Sequence, residues 1–418
     1  MDGVSVKRYS FLRKVVLGCA PLLAIGLVAG CGSTAGIAAN KVASGGKFPA
    51  IPPGPIVVGA SADLSGPGAA SGESEKALVE LGLQLFKAQH PHGIDGHQLE
   101  IKLEDDAGSA SQAVEVAQSF VSQHVAAIFY ASDIPELAAA QFAFWRKADI
   151  PNFIDGGDNL YTNVQEWPYV FGVDGSNYQY STAGASFLAA RGVKTLGVVS
   201  DGTPADNEVV ADLQAALEAA GNKTKIVKQV TIPETAVDAS SAIVELKAAH
   251  PDAVFVAVET SWGPVWNAFN AQNYAPLIVA DGGGLYIAHS SLGVLGANAY
   301  TTNFGCIPAG TTPPSYVTSA IKEYFADIGT DLQPGALASV QNVVSKIELF
   351  YYAVTKYDSV APQAIKKALE TMPATKVWWE LEFHFSPTNH FGLTGPLGAQ
   401  VCKMDPMGPD DIAVSVPD

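Results

Sequence analysis

From Ile56 to Val279 this chain alternates short apolar, β-branched runs with longer segments whose apolar residues recur at helical spacing. The first unit sets the pattern. Ile56-Val57-Val58, ended by Gly59, reads as a buried parallel strand. A polar turn, Leu64-Ser65-Gly66-Pro67-Gly68, follows. A helix from about Ser71 then carries Ala77, Leu78, Leu81 and Leu85 on one face. Strand, small-residue loop and helix start would place backbone N–H groups at the carboxyl edge of a sheet, one wall of a ligand cleft.

The pattern repeats. Residues 98–105 alternate Leu99, Ile101 and Leu103 with Glu100, Lys102 and Glu104, which suits an edge strand with one wet face. Ser109 and Gln112 open the next helix as a capping box. Strand 126–130, helix 135–147 and strand 151–154 complete a series of strands and helices that predicts an α/β parallel sheet covered on both faces. Tyr169-Val170-Phe171-Gly172 reads as a strand leaving this first domain. A second series starts at Tyr178, with strands at 195–199, 225–230, 253–258 and 277–279. Two doubly wound units in tandem account for the length without long structureless loops. After Tyr300 the pattern loosens into helices at 313–328 and 335–357 and a turn-rich tail, as if the chain returns to complete the first unit.

The N-terminus reads as an export signal. Lys7, Arg8, Arg13 and Lys14 precede an apolar core at 15–28 that is short for a membrane span. It ends in Leu27-Val28-Ala29-Gly30-Cys31, which resembles a bacterial lipobox; the resemblance implies cleavage before Cys31 and lipidation of its sulfur. Residues 31–55, rich in Ala, Gly, Ser and Pro, read as a tether. A formal charge of −17 argues against nucleic acid and anionic lipid as partners. Beyond the signal the chain has only two arginines, Arg146 and Arg191, which disfavours recognition of phosphate by a guanidinium fork. Cys306 and Cys402 remain as a disulfide pair or as two buried thiols.

Signals for catalysis are weak. Gly66-Pro67-Gly68 misses the dinucleotide fingerprint, and Pro67 removes an N–H that phosphate would need. The eight histidines lack metal-ligand spacing, and no cofactor is expected. Asp63, Asp106, Asp133 and Asp201 stand just before helices, where a carboxylate caps free N–H groups.

Leu64-Ser65-Gly66-Pro67, Gly93-Ile94-Asp95-Gly96, Glu104-Asp105-Asp106, Pro168-Tyr169-Val170-Phe171 and Pro251-Asp252-Ala253-Val254 occur in this order. In order and spacing, with the lipobox, they resemble type I periplasmic solute-binding proteins of the branched-chain amino acid and amide group that feed ABC importers. The resemblance implies two lobes joined by three hinge crossovers near Gly172, Gly296 and 384–391. Lobe I would be 56–172 plus 298–385, and lobe II 173–297 plus 386–418. It implies a small-molecule ligand, ABC permease subunits as partners and a membrane held only through the lipid. In the family, loops after strands three and four of lobe I hold a ligand carboxylate, which maps here to Ser132, Asp133, Asp155, Gly156 and Gly157. Ser65, Thr203 and Asp281 join them at strand ends, Glu259 is the candidate acid for an ammonium, and Trp262 or Tyr178 the candidate aromatic. Asp155 and Asp158 depart from the expected pattern and weaken the case for a carboxylate ligand. A sensor ectodomain of the same fold and an α/β enzyme are the rival readings.

Overall fold

The computed structural model describes residues 48–66, 69–131, 135–157, 159–219, 221, 223–258, 261–282, 292–329, 336–395, 397–404 and 414–415. All belong to one contact unit, Ala35–Asp418. The signal and Cys31 lie outside the described residues.

Strand β1 (Ile56–Ala62) is followed by α1 (Ala69–Gln89), β2 (Leu99–Asp105), α2 (Ala110–Gln123), β3 (Ile128–Tyr130), α3 (Pro135–Lys147), β4 (Asn152–Ile154) and β5 (Val170–Gly172). These five strands form one parallel sheet in the order β2-β1-β3-β4-β5. The alternating residues 98–105 are the edge strand, as their pattern predicts. Tyr169 to Gly172 does not leave the sheet at once, because β5 pairs with β4.

The period of two sorts side chains to the two faces. Val58, Ala60, Phe129 and Phe153 enter a core shared with α1, whereas Ile128, Ile154 and Val170 enter a separate core with α2 and α3. Gly59 is needed where β1 passes under α2, since a Cβ there would lie 2.7 Å from the Phe120 ring.

The chain then crosses at 173–176 into α4 (Asn177–Ala190), β6 (Thr195–Ser200), α5 (Pro204–Ala219), β7 (Lys225–Thr231), α6 (Ser240–Ala248), β8 (Ala253–Ala257), α7 (Trp262–Ala271), β9 (Leu277–Ala280) and β10 (Ala299–Asn303). α8 (Ser315–Ile328), α9 (Ala336–Tyr357) and α10 (Pro362–Glu370) return to the first sheet's core. A small antiparallel sheet of β11 (Thr375–Trp378), β12 (Leu381–Phe383) and β13 (Leu393–Thr394) lies with them. Finally β14 (Gln400–Lys403) and β15 (Val414–Ser415) complete a seven-stranded sheet, β15-β14-β10-β9-β8-β6-β7. It too separates two cores, one with α6 and α7 and one with α4 and α5.

The second and third passages fall later than the sequence implied. β10 pairs with β9, so the chain leaves the second sheet after Asn303 rather than near Gly296. β13 pairs with β12, so the last passage is at 395–399 rather than 384–391. The reason is local: β10 (Ala-Tyr-Thr-Thr-Asn) ends in three polar residues and reads as loop, but its place between β9 and β14 buries Thr301, Thr302 and Asn303. Cys306 and Cys402 form a disulfide, with Cα atoms 5.9 Å apart, that ties the start of the second passage to β14.

Candidate ligand site between the two sheets

A cavity of about 460 Å³ lies where the two sheets meet at the carboxyl ends of their strands. That volume suits a small molecule, and the position is where open α/β sheets bind ligands. A larger cavity, about 910 Å³, is lined by α4 and by residues flanking the later passages, among them Tyr178, Pro308 and Thr394. It holds none of the strand-end acids described below, so the smaller cavity is the better candidate.

The first wall is the turn after β4. Gly156 has φ +95°, a conformation that favours glycine, and it turns the chain away from the strand. Its N–H donates to Asp174 Oδ2 at 2.8 Å, so a carboxylate of the chain itself occupies that donor. Gly157 is pressed against the start of α4. A Cβ there would lie 2.5 Å from the Asn177 nitrogen, whose N–H donates to the Gly157 carbonyl at 2.8 Å. Ser176 and Gln179 cap α4 reciprocally, which fixes Asn177 and Tyr180 at the cavity.

Helix α9 closes the wall from behind. Its Gln341, Asn342, Ser345, Lys346 and Glu348 are all buried among apolar neighbours. Lys346 is fully buried, forms an ion pair with Asp155 and lies 3.3 Å from the Tyr130 ring centre. Burial holds its ammonium below the usual lysine range, with Asp155, Glu75 and Asp174 opposing that shift. Burial likewise pushes the Asp174 carboxyl up to about 7; Asp155 adds to the rise, and the Gly156 N–H and Lys346 work against it.

The second wall comes from the loop after β6, from α5, and from the ends of β9 and β10. Thr203 caps α5 by accepting the Asp206 N–H at 3.1 Å, and Asp206 Oδ2 accepts the Asp201 N–H at 3.2 Å. Burial, then the neighbouring Asp201 and Asp281, pushes the Asp206 carboxyl up to about 9. Asn303 donates from Nδ2 to the Gly282 carbonyl at 2.7 Å, which turns its Oδ1 the other way. The elements behind the two walls are also tied directly. Asn159 donates from its backbone to Glu208 at 2.8 Å and from Nδ2 to Asp212 at 2.7 Å, joining the 3-10 turn after β4 to α5.

Of the expected site residues, Asp155, Gly156, Gly157 and Asp281 meet at this cavity. Ser132, Asp133 and Glu259 lie outside the described residues. Ser65 does not reach it: its hydroxyl and N–H both donate to Asp105, and Asp105 also takes the Leu64 and Ala107 N–H groups. Thr203 serves the helix cap instead. Trp262 stacks towards Trp266, ring centres 5.9 Å apart, against the α6–α7 core, because helical spacing turns both indoles the same way. Tyr178 is exposed and faces the larger cavity and a neighbouring groove. Its place in the central cavity is taken by Tyr180, two residues on. The sequence reading missed Asp174, Asn177, Asp206, Asn303, Asn342 and Lys346. Lys346 had a visible signal, a lysine set between Val343 and Ile347 on the apolar stripe of α9.

The sequence profile described as periplasmic binding protein matches residues 55–397. The chain belongs to the periplasmic binding protein family. Solved structures of type I members agree with it in fold. A periplasmic binding protein type 1 from Bordetella pertussis Tohama I is 20% identical, with 87% of this chain and 100% of that one covered, at a TM-score of 0.69. An ABC transporter substrate-binding protein from Sphaerobacter thermophilus is 21% identical over 87% and 97%, also at 0.69. A possible leucine/isoleucine/valine-binding protein from Rhodopirellula baltica SH 1 is 15% identical over 87% and 96%, at 0.64. No curated protein matches the chain. Among the described residues no helix is long and apolar enough to cross a membrane, and no group of three or more His, Cys, Asp or Glu is placed to hold a metal ion.

Proposed function

We propose that this family member is the extracytoplasmic solute-binding lipoprotein of an ABC importer, holding a small organic ligand between two lobes and presenting it to permease subunits. The observation that carries the reading is the cavity between the two sheets, walled by strand-end loops from both. One lobe comprises β1–β5 with α8–α10 and β11–β13, the other β6–β10 with β14 and β15. The passages at 173–176, 304–314 and 395–399 act as hinges. Function is capture: closure excludes water and the ligand leaves unchanged. Lipidation at Cys31, with 31–55 as tether, keeps the protein at the outer face of the membrane.

A thermal-shift screen over amino acids, amides, polyamines and aromatic acids tests the reading, because a ligand at about 100 times its Kd stabilises the folded state by about 2.7 kcal/mol. At least one class raises the melting midpoint and is recovered intact; silence from all classes, or turnover, contradicts it. Cys31→Ala moves the protein from the membrane to the soluble fraction if the anchor is as proposed.

A further inference from the structure

We infer that the ligand of this cavity is an organic cation with amino groups at two ends and no carboxylate, of the α,ω-diaminoalkane class. The inference rests on the solute-capture reading.

Its basis is the polarity of the walls. Asp155 and Asp174 stand on the side of the first sheet, and Asp206 and Asp281 on the side of the second. None of the described lining residues is a lysine or arginine. By sequence, residues 132–134, 158, 259–260 and 283–291 hold none either. The nearby Lys346 is fully buried and committed to Asp155, so it is not offered to a ligand anion.

Three lining side chains that are more than nine-tenths buried, one of them among these acids, carry an acceptor oxygen that no described residue satisfies: Asp174 Oδ1, Asn303 Oδ1 and Asn342 Oδ1. Asn303 cannot present its amide nitrogen instead, because Nδ2 is held by the Gly282 carbonyl. The backbone donor at Gly156, which could have met a carboxylate, is taken by Asp174. Buried acceptors without donors are costly, and a ligand rich in N–H groups removes that cost. Val209, Val258 and Phe304 supply apolar surface for an alkyl chain between the two polar ends. Burial also raises the Asp174 and Asp206 carboxyls, and an arriving ammonium would favour their ionised forms, the protons passing to solvent.

Isothermal titration of the full-length mature protein with 1,4-diaminobutane, 4-aminobutanoate, butanedioate, leucine and calcium chloride separates the ligand classes. The diamine is expected to bind at least 10-fold more tightly than 4-aminobutanoate, which has the same chain length with one end changed to a carboxylate. Asp174→Asn and Asp206→Asn each weaken the diamine at least 10-fold. Asn342→Leu weakens it several-fold, and the melting midpoint of each unliganded variant verifies folding. Tighter binding of leucine, butanedioate, 4-aminobutanoate or calcium overturns the inference and leaves solute capture standing. Diamine binding unchanged in all three variants overturns it as well. Silence from these probes and from every class of the wider screen overturns solute capture itself.

Discussion

The two halves of the molecule use the same architecture and differ in where they keep their charge. In the second, the central strands β6, β8 and β9 are apolar almost throughout, and the acids Asp201, Asp206 and Asp281 are confined to loops and helix starts at the strand ends. In the first, a charged group runs through the interior: α9 carries Lys346 and Glu348 fully inside, and Lys346 meets Asp155 at the cavity. In the second half the buried Asp206 carboxyl is raised by burial and its acidic neighbours, whereas in the first the buried Lys346 is paired with Asp155. The same kind of substitution should move the two halves in opposite directions.

The largest effect tests what holds the halves in one unit. The disulfide spans 96 residues and encloses α8 to α10 and the small sheet. Replacing Cys306 and Cys402 together with Ala should cost about 2–5 kcal/mol in urea unfolding. A cost confined to unfolding of one half, seen as two transitions, would sharpen the comparison. Next, Lys346→Met removes the ammonium from the first half and should destabilise by about 2–3 kcal/mol, below the upper range for a broken buried pair because Asp155 reaches solvent. Stability equal to the parent would break the claim that this half depends on a paired charge.

In the second half the sign reverses. Asp206 has a folded-state value raised from 3.8 to about 9, so the folded state binds more protons than the unfolded one between those limits. Its contribution is complete below pH 4 and is lost as pH rises towards about 9. Asp206→Asn should therefore match the parent near pH 4 and exceed it at pH 8 by on the order of 1 kcal/mol. Asp174, on the side of the first sheet and raised to about 7, gives the same trend ending nearer neutrality, so the reversal is specific to buried carboxylates and not to one half. Melting curves at the two pH values check both. The smallest effect is at Ser65, which ties the β1 loop to Asp105 on the surface. Ser65→Ala should cost about 0.5–1 kcal/mol and leave ligand affinity unchanged.

The same contrast explains what the sequence made legible. Periodicity identified the parallel strands, because burial on both faces demands continuous apolar runs such as Val254 to Ala257. It also found α9, including its inward face. It missed β10 and α10: β10 hides polar residues inside a sheet, and α10 is a short helix with three charged residues on its outer side. At the cavity, turns with glycine and acid at strand ends were visible, which located Asp155, Gly156, Gly157 and Asp281. Asp174, Asn303 and Asn342 were not visible, because they come from a segment crossing between the sheets, a disguised strand and a core helix. Only tertiary packing brings those three to one place. Thr203 and Trp262 were misplaced for a related reason, since a cap and a core indole look the same in sequence as a hydroxyl or ring offered to a ligand.

Ala205 lines the cavity at the first turn of α5 without taking part in its hydrogen bonds. Thermal-shift screening of the parent and Ala205→Trp, side by side with the same compounds, measures whether solute binds between the sheets. Whichever compound raises the parent's midpoint should leave that of the filled variant unmoved, while the two unliganded proteins unfold with equal cooperativity. An equal rise in both would place the ligand elsewhere and contradict the account.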